Sequence, residues 1–82
     1  MRREDTWEFQ TERLTKLVAE RVPGKIITFD QTHRVTVRFR IVASVTGIVI
    51  VDATGEWQPD RLAEKSDNDV WKLIQHLSNG KL

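Results

Sequence analysis

Cysteine and tyrosine are absent from this 82-residue chain, and glycine and proline are scarce, with four and two copies. Without cysteine, the chain has no disulfide framework and no cysteine-based zinc site, which favours a reducing compartment. Its longest purely aliphatic run covers residues 48–51, far short of the ~20 apolar residues that span a bilayer. No apolar stretch follows the charged residues at the start, so we expect no signal peptide and a cytoplasmic protein.

A charge excess is missing as well, because 13 Lys and Arg residues stand against 12 Asp and Glu residues, a net charge of +1. The chain therefore has no overall field that attracts nucleic acid or anionic lipid, and binding of either must come from local clustering. We expect no membrane partner. The length allows one domain with one core, so residues 1–82 are predicted to form a single small α+β domain.

The stretch over residues 34–52 carries the strongest structural signal. Its first half, residues 34–42, alternates polar and apolar side chains, which is typical of a strand buried on one face only. Its second half, residues 47–51, is apolar at nearly every step, as in a strand covered on both faces. The third strand is predicted over 45–51, and Gly47 inside it indicates a bulge or a close backbone approach. A shorter strand over 25–30 precedes them, and a turn over 52–55 follows.

Two main helices and one short helix flank the strands. Asp5 has the position and chemistry of an N-terminal cap for the first helix, and Pro23 ends that helix. Pro59 suits the first turn of a short helix, whereas Ser66 with Asp69 predicts a fresh start and therefore a break before the last helix. The predicted fold class is α+β, in the order helix, three-stranded mainly antiparallel sheet, short helix, helix, with both main helices on one sheet face.

The core follows from the two periodicities, since apolar residues recur at helical spacing in the main helices and at alternate positions in the strands. The predicted core consists of Leu14, Leu17, Val18, Val35, Val37, Phe39, Val49, Leu73, Ile74 and Leu77. Phe9 points away from the apolar stripe of the first helix. It is therefore either exposed or packed against something that one chain does not supply.

Residues suited to catalysis are few, and no glycine-rich phosphate loop, His-Glu-x-x-His motif or cysteine nucleophile occurs. His33 with Asp30 could form a base and its orienting acid, but a polar hairpin turn accounts for both. His76 suits the end of a helix. The acids in segment 67–69 lack the further oxygen ligands that calcium requires, and they fit a first helical turn. We therefore expect no enzyme, no cofactor and no metal site.

One face of the second strand is the candidate nucleic-acid contact, and it consists of Arg34, Thr36, Arg38 and Arg40. Alternate residues on a strand lie roughly 6.5–7 Å apart, a spacing similar to that of backbone phosphates, and arginine forks bind phosphate well. The competing interpretation is a solvated strand face whose arginines pair with nearby acids. Aromatic side chains, on which sheet-type nucleic-acid binders stack bases, are missing from this face.

The third strand is more apolar than the rest of one chain can readily cover. In a regular alternation Val49 and Val51 face the helices, while Ile48 and Ile50 face the opposite side. The segment over 56–62 could cover that side from within the chain, with Trp57 or Leu62 over the isoleucines, and a different strand order could make the third strand central. A second copy could cover it instead, because a twofold contact lets one patch serve both partners. The candidate dimer interface consists of Phe9, Ile48, Ile50 and Trp57.

These observations predict a small non-enzymatic protein-interaction module that forms a homodimer. The other partner considered is a different protein. The alternative is a weak nucleic-acid-binding domain that uses the arginine face. The two interpretations differ in what the arginines do. In the first they lie at the rim of a protein contact, and in the second they bind phosphate directly.

Overall fold

The computed structural model describes residues 2–31 and 36–82 of the chain, with the backbone alone at Gln31. A 3-10 turn at Arg3–Asp5 leads into the first helix. The helices and strands in chain order are α1 (Trp7–Arg21), β1 (Lys25–Gln31), β2 (Thr36–Ala43), β3 (Val49–Glu56), α2 (Pro59–Ala63) and α3 (Asp67–Leu77). This order confirms the predicted α+β class.

Side-chain caps begin both main helices. The Thr6 hydroxyl accepts a hydrogen bond from the Phe9 amide at 3.3 Å, so Thr6 is the cap of α1. The prediction of Asp5 as the cap was wrong, since Asp5 lies in the preceding 3-10 turn and pairs with Arg2 at 3.0 Å. The Ser66 hydroxyl accepts from the Asp69 amide at 3.2 Å. This cap confirms the predicted break before α3.

The sheet is an antiparallel meander in the order β1-β2-β3. Alternation along β2 matches the prediction, because Val37, Phe39 and Ile41 are buried and the arginines between them face the other side of the sheet. All three helices contribute to the same buried cluster as the inward-facing strand residues. The helices therefore cover one face of the sheet, as predicted.

The third strand lies further along the chain than predicted. Residues 44–46 form a turn, Gly47 adopts a φ of 73° that favours glycine, and its amide donates to the Ala43 carbonyl at 2.8 Å. Strand pairing then starts at Val49 and continues through residues 52–55, which were wrongly predicted to turn. The apolar side chains within residues 45–48 indicated a strand. In the structure these residues belong to a connection closed by hydrogen bonds to Ala43, and such a connection tolerates apolar side chains in solvent.

A bulge in β3 reverses the predicted facing of its first residues. Val42 pairs with Val49 and Ile41 pairs with Val51, so Ile50 is the extra residue between two regular pairs. Consequently Val49 faces outward with 48% of its surface exposed, and its prediction as a core residue was wrong. Ile50 is instead half-buried and packs against the core.

The core confirms most of the predicted members and adds several. Leu14, Leu17, Val18, Val37, Phe39 and Ile74 are buried. Leu73 and Leu77 are only half-buried against the cluster, and Val35 lies outside the described residues. The buried apolar residues that the prediction omitted are Ile27, Ile41, Val51, Trp57, Leu62 and Val70. Within the described parts of the chain, no helix combines the length and the apolar content needed to cross a membrane.

Candidate interaction surface

The face of the sheet opposite the helices is covered by no other element among the described residues. We call it the open face, and its outward side chains are Ile26, Thr28, Asp30, Thr36, Arg38, Arg40, Val42, Val49, Asp52, Thr54 and Glu56. Strand register arranges them in rows that run across the three strands. The rows differ sharply in chemistry, and this difference determines what the face can bind.

The row nearest the β2–β3 turn is apolar. Ile26 pairs with Val42, and Val42 pairs with Val49, so three aliphatic side chains lie side by side across the sheet; we call them the apolar row. Ile26 is 43% exposed and Val49 48% exposed. Ile48, in the turn next to this row, is 63% exposed. A contiguous patch of this kind on a small domain is typical of a contact site.

The next two rows are charged. The Arg38 guanidinium donates two hydrogen bonds to the Asp52 carboxylate, at 2.8 and 2.7 Å, and Arg40 Nε lies 3.5 Å from Asp52 Oδ2. The hydrogen bond from Arg38 holds the pKa of Asp52 below its usual value. The same bond raises the pKa of Arg38, and the negative charge of Asp30 raises it further. This cluster stabilises the fold fully at pH values above the ordinary carboxyl pKa. The stabilisation is lost as the pH falls through the lowered pKa of Asp52.

The described residues of the open face carry more acids than arginines, which weakens the nucleic-acid interpretation. Among its described residues, Arg38 and Arg40 stand against Asp30, Asp52 and Glu56. The fork of Arg38 is already occupied by a carboxylate, so a phosphate would have to displace Asp52. Thr36 lies on the same face of β2, whereas Arg34, the fourth member of the predicted contact, lies outside the described residues.

The structure does not bring the four predicted dimer residues together. Ile48 is exposed beside the apolar row, but Ile50 packs against the core. Phe9 is half-buried near the start of α1, with the Arg3 guanidinium 5.8 Å from its ring centre. The β2–β3 turn is hydrogen-bonded to Gly24, which lies just past the C-terminal end of α1. Phe9 lies near the N-terminal end of this helix, so at 1.5 Å per helical residue roughly 20 Å separates Phe9 from the turn.

Trp57 belongs to the core and offers no surface to a second chain. It is 3% exposed, and its ring stacks on Phe39 with centres 5.3 Å apart. The Phe29 ring forms an edge-type contact with it, with centres 6.2 Å apart. A Cβ on Gly55 would lie 2.9 Å from Trp57 Nε1, so only glycine leaves room for this indole. We therefore drop Trp57 and Ile50 from the candidate interface.

Sequence reasoning missed Ile26, Val42 and Val49. The first two alternate correctly with the buried residues of their strands, so their outward facing could have been read from the sequence. Their alignment with Val49 could not, because it depends on the bulge at Ile50 and on the start of β3 after Gly47. A one-residue bulge turns every preceding side chain to the other face.

Among the described residues, those considered for chemistry form no common site. His33 lies outside the described residues, and His76 is exposed in the last turn of α3. Asp67 pairs with Arg13 at 2.9 Å, and the Asn68 side chain accepts from Arg21 at 2.8 Å, so segment 67–69 serves helix packing. Over residues 2–31 and 36–82, no group of three His, Asp or Glu side chains is placed to hold a metal ion.

Comparison of the chain with protein-family models, with curated proteins and with solved structures finds no match in any of the three. The open face is therefore the feature of the molecule from which we infer a function.

Proposed function

We propose that this chain is a small non-enzymatic protein-interaction module that forms a homodimer through the open face. The observation that supports the proposal is the apolar row, three aliphatic side chains aligned across a sheet face that lies bare of other elements in the described chain. Burying apolar surface is the main favourable term in most protein association. A protein partner also suits this face because its arginines already lie beside a carboxylate and need no phosphate to neutralise them.

The size of the open face predicts weak association. Three strands about 4.8 Å apart and eight residues of about 3.3 Å each give a footprint of roughly 14 by 26 Å. Stable complexes bury about 800 Å² per partner, and this footprint is smaller. We therefore expect dimers at micromolar or higher concentration, in exchange with monomers.

The test is a mass measurement in solution. Light scattering or sedimentation over rising concentration should move the wild-type mass from 9.5 kDa towards twice that value. The double variant Ile48→Lys with Val49→Lys should stay monomeric and folded, because both side chains are exposed and two lysines would have to be buried on association. Ile50→Lys is unsuitable, since it would place a charge against the core.

Thr15→Lys with Ala19→Lys is the matched control. It adds the same charge on exposed positions of α1, on the helix side of the molecule, and should dimerise like the wild type. A wild type that remains monomeric at high micromolar concentration contradicts the homodimer. Dissociation in both double variants contradicts the assignment to the open face, because net charge alone would then explain it.

Nucleic-acid binding is the alternative, and the Arg38–Asp52 pair argues against it. We expect the wild type to show no salt-dependent binding to generic DNA or RNA, and Arg38→Glu with Arg40→Glu to change nothing. Fluorescence anisotropy at low salt measures both. Binding that weakens steeply with salt, with a slope for about two or three phosphates, and that is lost in the double variant, would instead favour the alternative.

A further inference from the structure

We infer that the two copies are related by a twofold axis parallel to the strands, so that each row of the open face meets the same row of the partner. This inference rests on the proposed function and specifies how the second copy sits. It follows from the order of the rows, which is apolar at the β2–β3 turn and charged further along the strands.

A twofold axis in the plane between two stacked sheets can run along the strands or across them. An axis along the strands exchanges strand positions and leaves each position along the strand unchanged, so the apolar row faces the apolar row. An axis across the strands reverses the order of the rows. It then sets aliphatic side chains against arginines and carboxylates, which costs desolvation without a matching partner.

An axis across the strands avoids this mismatch only if it passes through the apolar row itself. The two sheets then overlap mainly at their apolar ends, and the charged rows of each copy extend past the other. That arrangement discards much of a footprint that is already small for a stable dimer. An axis along the strands and between β2 and β3 overlaps these two strands over their whole length, and this larger buried area favours it.

Charges within the rows are self-complementary under the axis along the strands. Arg40 and Asp52 are cross-strand neighbours, so an axis between β2 and β3 places Arg40 over the partner's Asp52, and the reverse, in one symmetric contact. The same operation places Val42 over the partner's Val49. Arg40 is free to take part, since its own contact to Asp52 is 3.5 Å long and its side chain is 47% exposed. An axis along the strands that passed through β2 itself would instead place Arg40 over the same residue of the partner, so like charges would meet.

Distances between spin labels at the charged end test the axis directly. The chain has no cysteine, so Glu56→Cys carries a single nitroxide at an exposed position. Glu56 pairs with Thr36, six residues from the apolar row along β2, or about 20 Å. With the axis along the strands, the two labels lie within about 10–20 Å, the sheet separation plus one or two strands. With the axis across the apolar row, they lie about 40 Å apart.

Two further labels and a mass measurement complete the experiment. Thr54→Cys is the second variant at the charged end, with about 10–20 Å expected for the inferred axis and roughly 27 Å for the other. Ala19→Cys, on the exposed side of α1, should give a long distance of about 30 Å or more in both arrangements, because a sheet and a helix layer of each copy separate the labels. Sedimentation of the labelled samples reports whether they are dimers.

A dimer with short distances at both Glu56→Cys and Thr54→Cys supports the inferred axis. A dimer with the long distances at these positions overturns the axis and leaves the homodimer through the open face in place. A sample labelled at Ala19→Cys, outside the open face, that remains monomeric at high micromolar concentration overturns both the axis and the proposed function. Loss of the dimer only in the samples labelled at Glu56→Cys and Thr54→Cys supports the axis, because only that axis buries the charged end of the open face.

Discussion

Phe39→Ala is expected to lower the free energy of unfolding by about 3–5 kcal/mol, the usual cost of emptying a buried aromatic site. Phe39 lies at the centre of the sheet and is fully buried, and its ring stacks on Trp57. Removing it leaves a cavity beneath an indole whose Nε1 is buried and has no hydrogen-bond partner within the described chain. Because no hydrogen bond to the described chain holds that indole in place, we expect its packing to loosen as well.

Urea denaturation followed by tryptophan fluorescence and by circular dichroism measures this loss. Arg40→Ala, at the next position of β2 but on the open face, is the control and should cost less than about 1 kcal/mol, as for an exposed ion pair. Phe39→Leu keeps most of the volume and stays measurable if the alanine variant unfolds. Equal effects at positions 39 and 40 would contradict the burial of β2 on one face.

Arg13→Met is expected to cost about 2–3 kcal/mol, mainly through buried polar groups left without partners. Arg13 Nε donates to Asp67 at 2.9 Å, Nη1 donates to the Leu62 carbonyl at 2.8 Å and to Gln10 Oε1 at 3.2 Å, and Nη2 donates to the Lys65 carbonyl at 2.7 Å. One guanidinium thus joins α1 to the end of α2 and the start of α3. Gln10 is fully buried, so water cannot replace Arg13 as the hydrogen-bond donor to its side-chain oxygen.

Arg21→Met is the control for this prediction. Arg21 donates to the exposed Asn68 side chain at 2.8 Å, and water can replace that bond, so the cost should be within about 0.5 kcal/mol. Arg13→Lys separates charge from geometry, because an ammonium lacks the planar fork that reaches several acceptors at once. Full stability in Arg13→Lys would show that charge alone suffices and would contradict the role of the fork.

The local sequence determined the parts of the fold that depend on periodicity and on caps. Alternation in β2 placed Phe39 inside and Arg38 outside, and the spacing in α3 placed Ile74 in the core. Ser66 with Asp69 marked the break before α3. Each of these signals acts within a few residues along the chain, so the sequence carries them by itself.

Pairing between strands decided the rest, including the candidate surface. The stretch over 45–51 contains a turn and a bulge. Gly47 indicates an irregularity there, but the start of β3 and the position of the bulge do not follow from residue type, because the hydrogen bonds that select them come from β2 and from Gly24. Those bonds turn Val49 outward and align it with Val42 and Ile26. Likewise Arg38 finds Asp52 only through strand register. Contacts between residues distant in sequence have no periodic signature, so only the tertiary structure shows which row is apolar and which charges cancel.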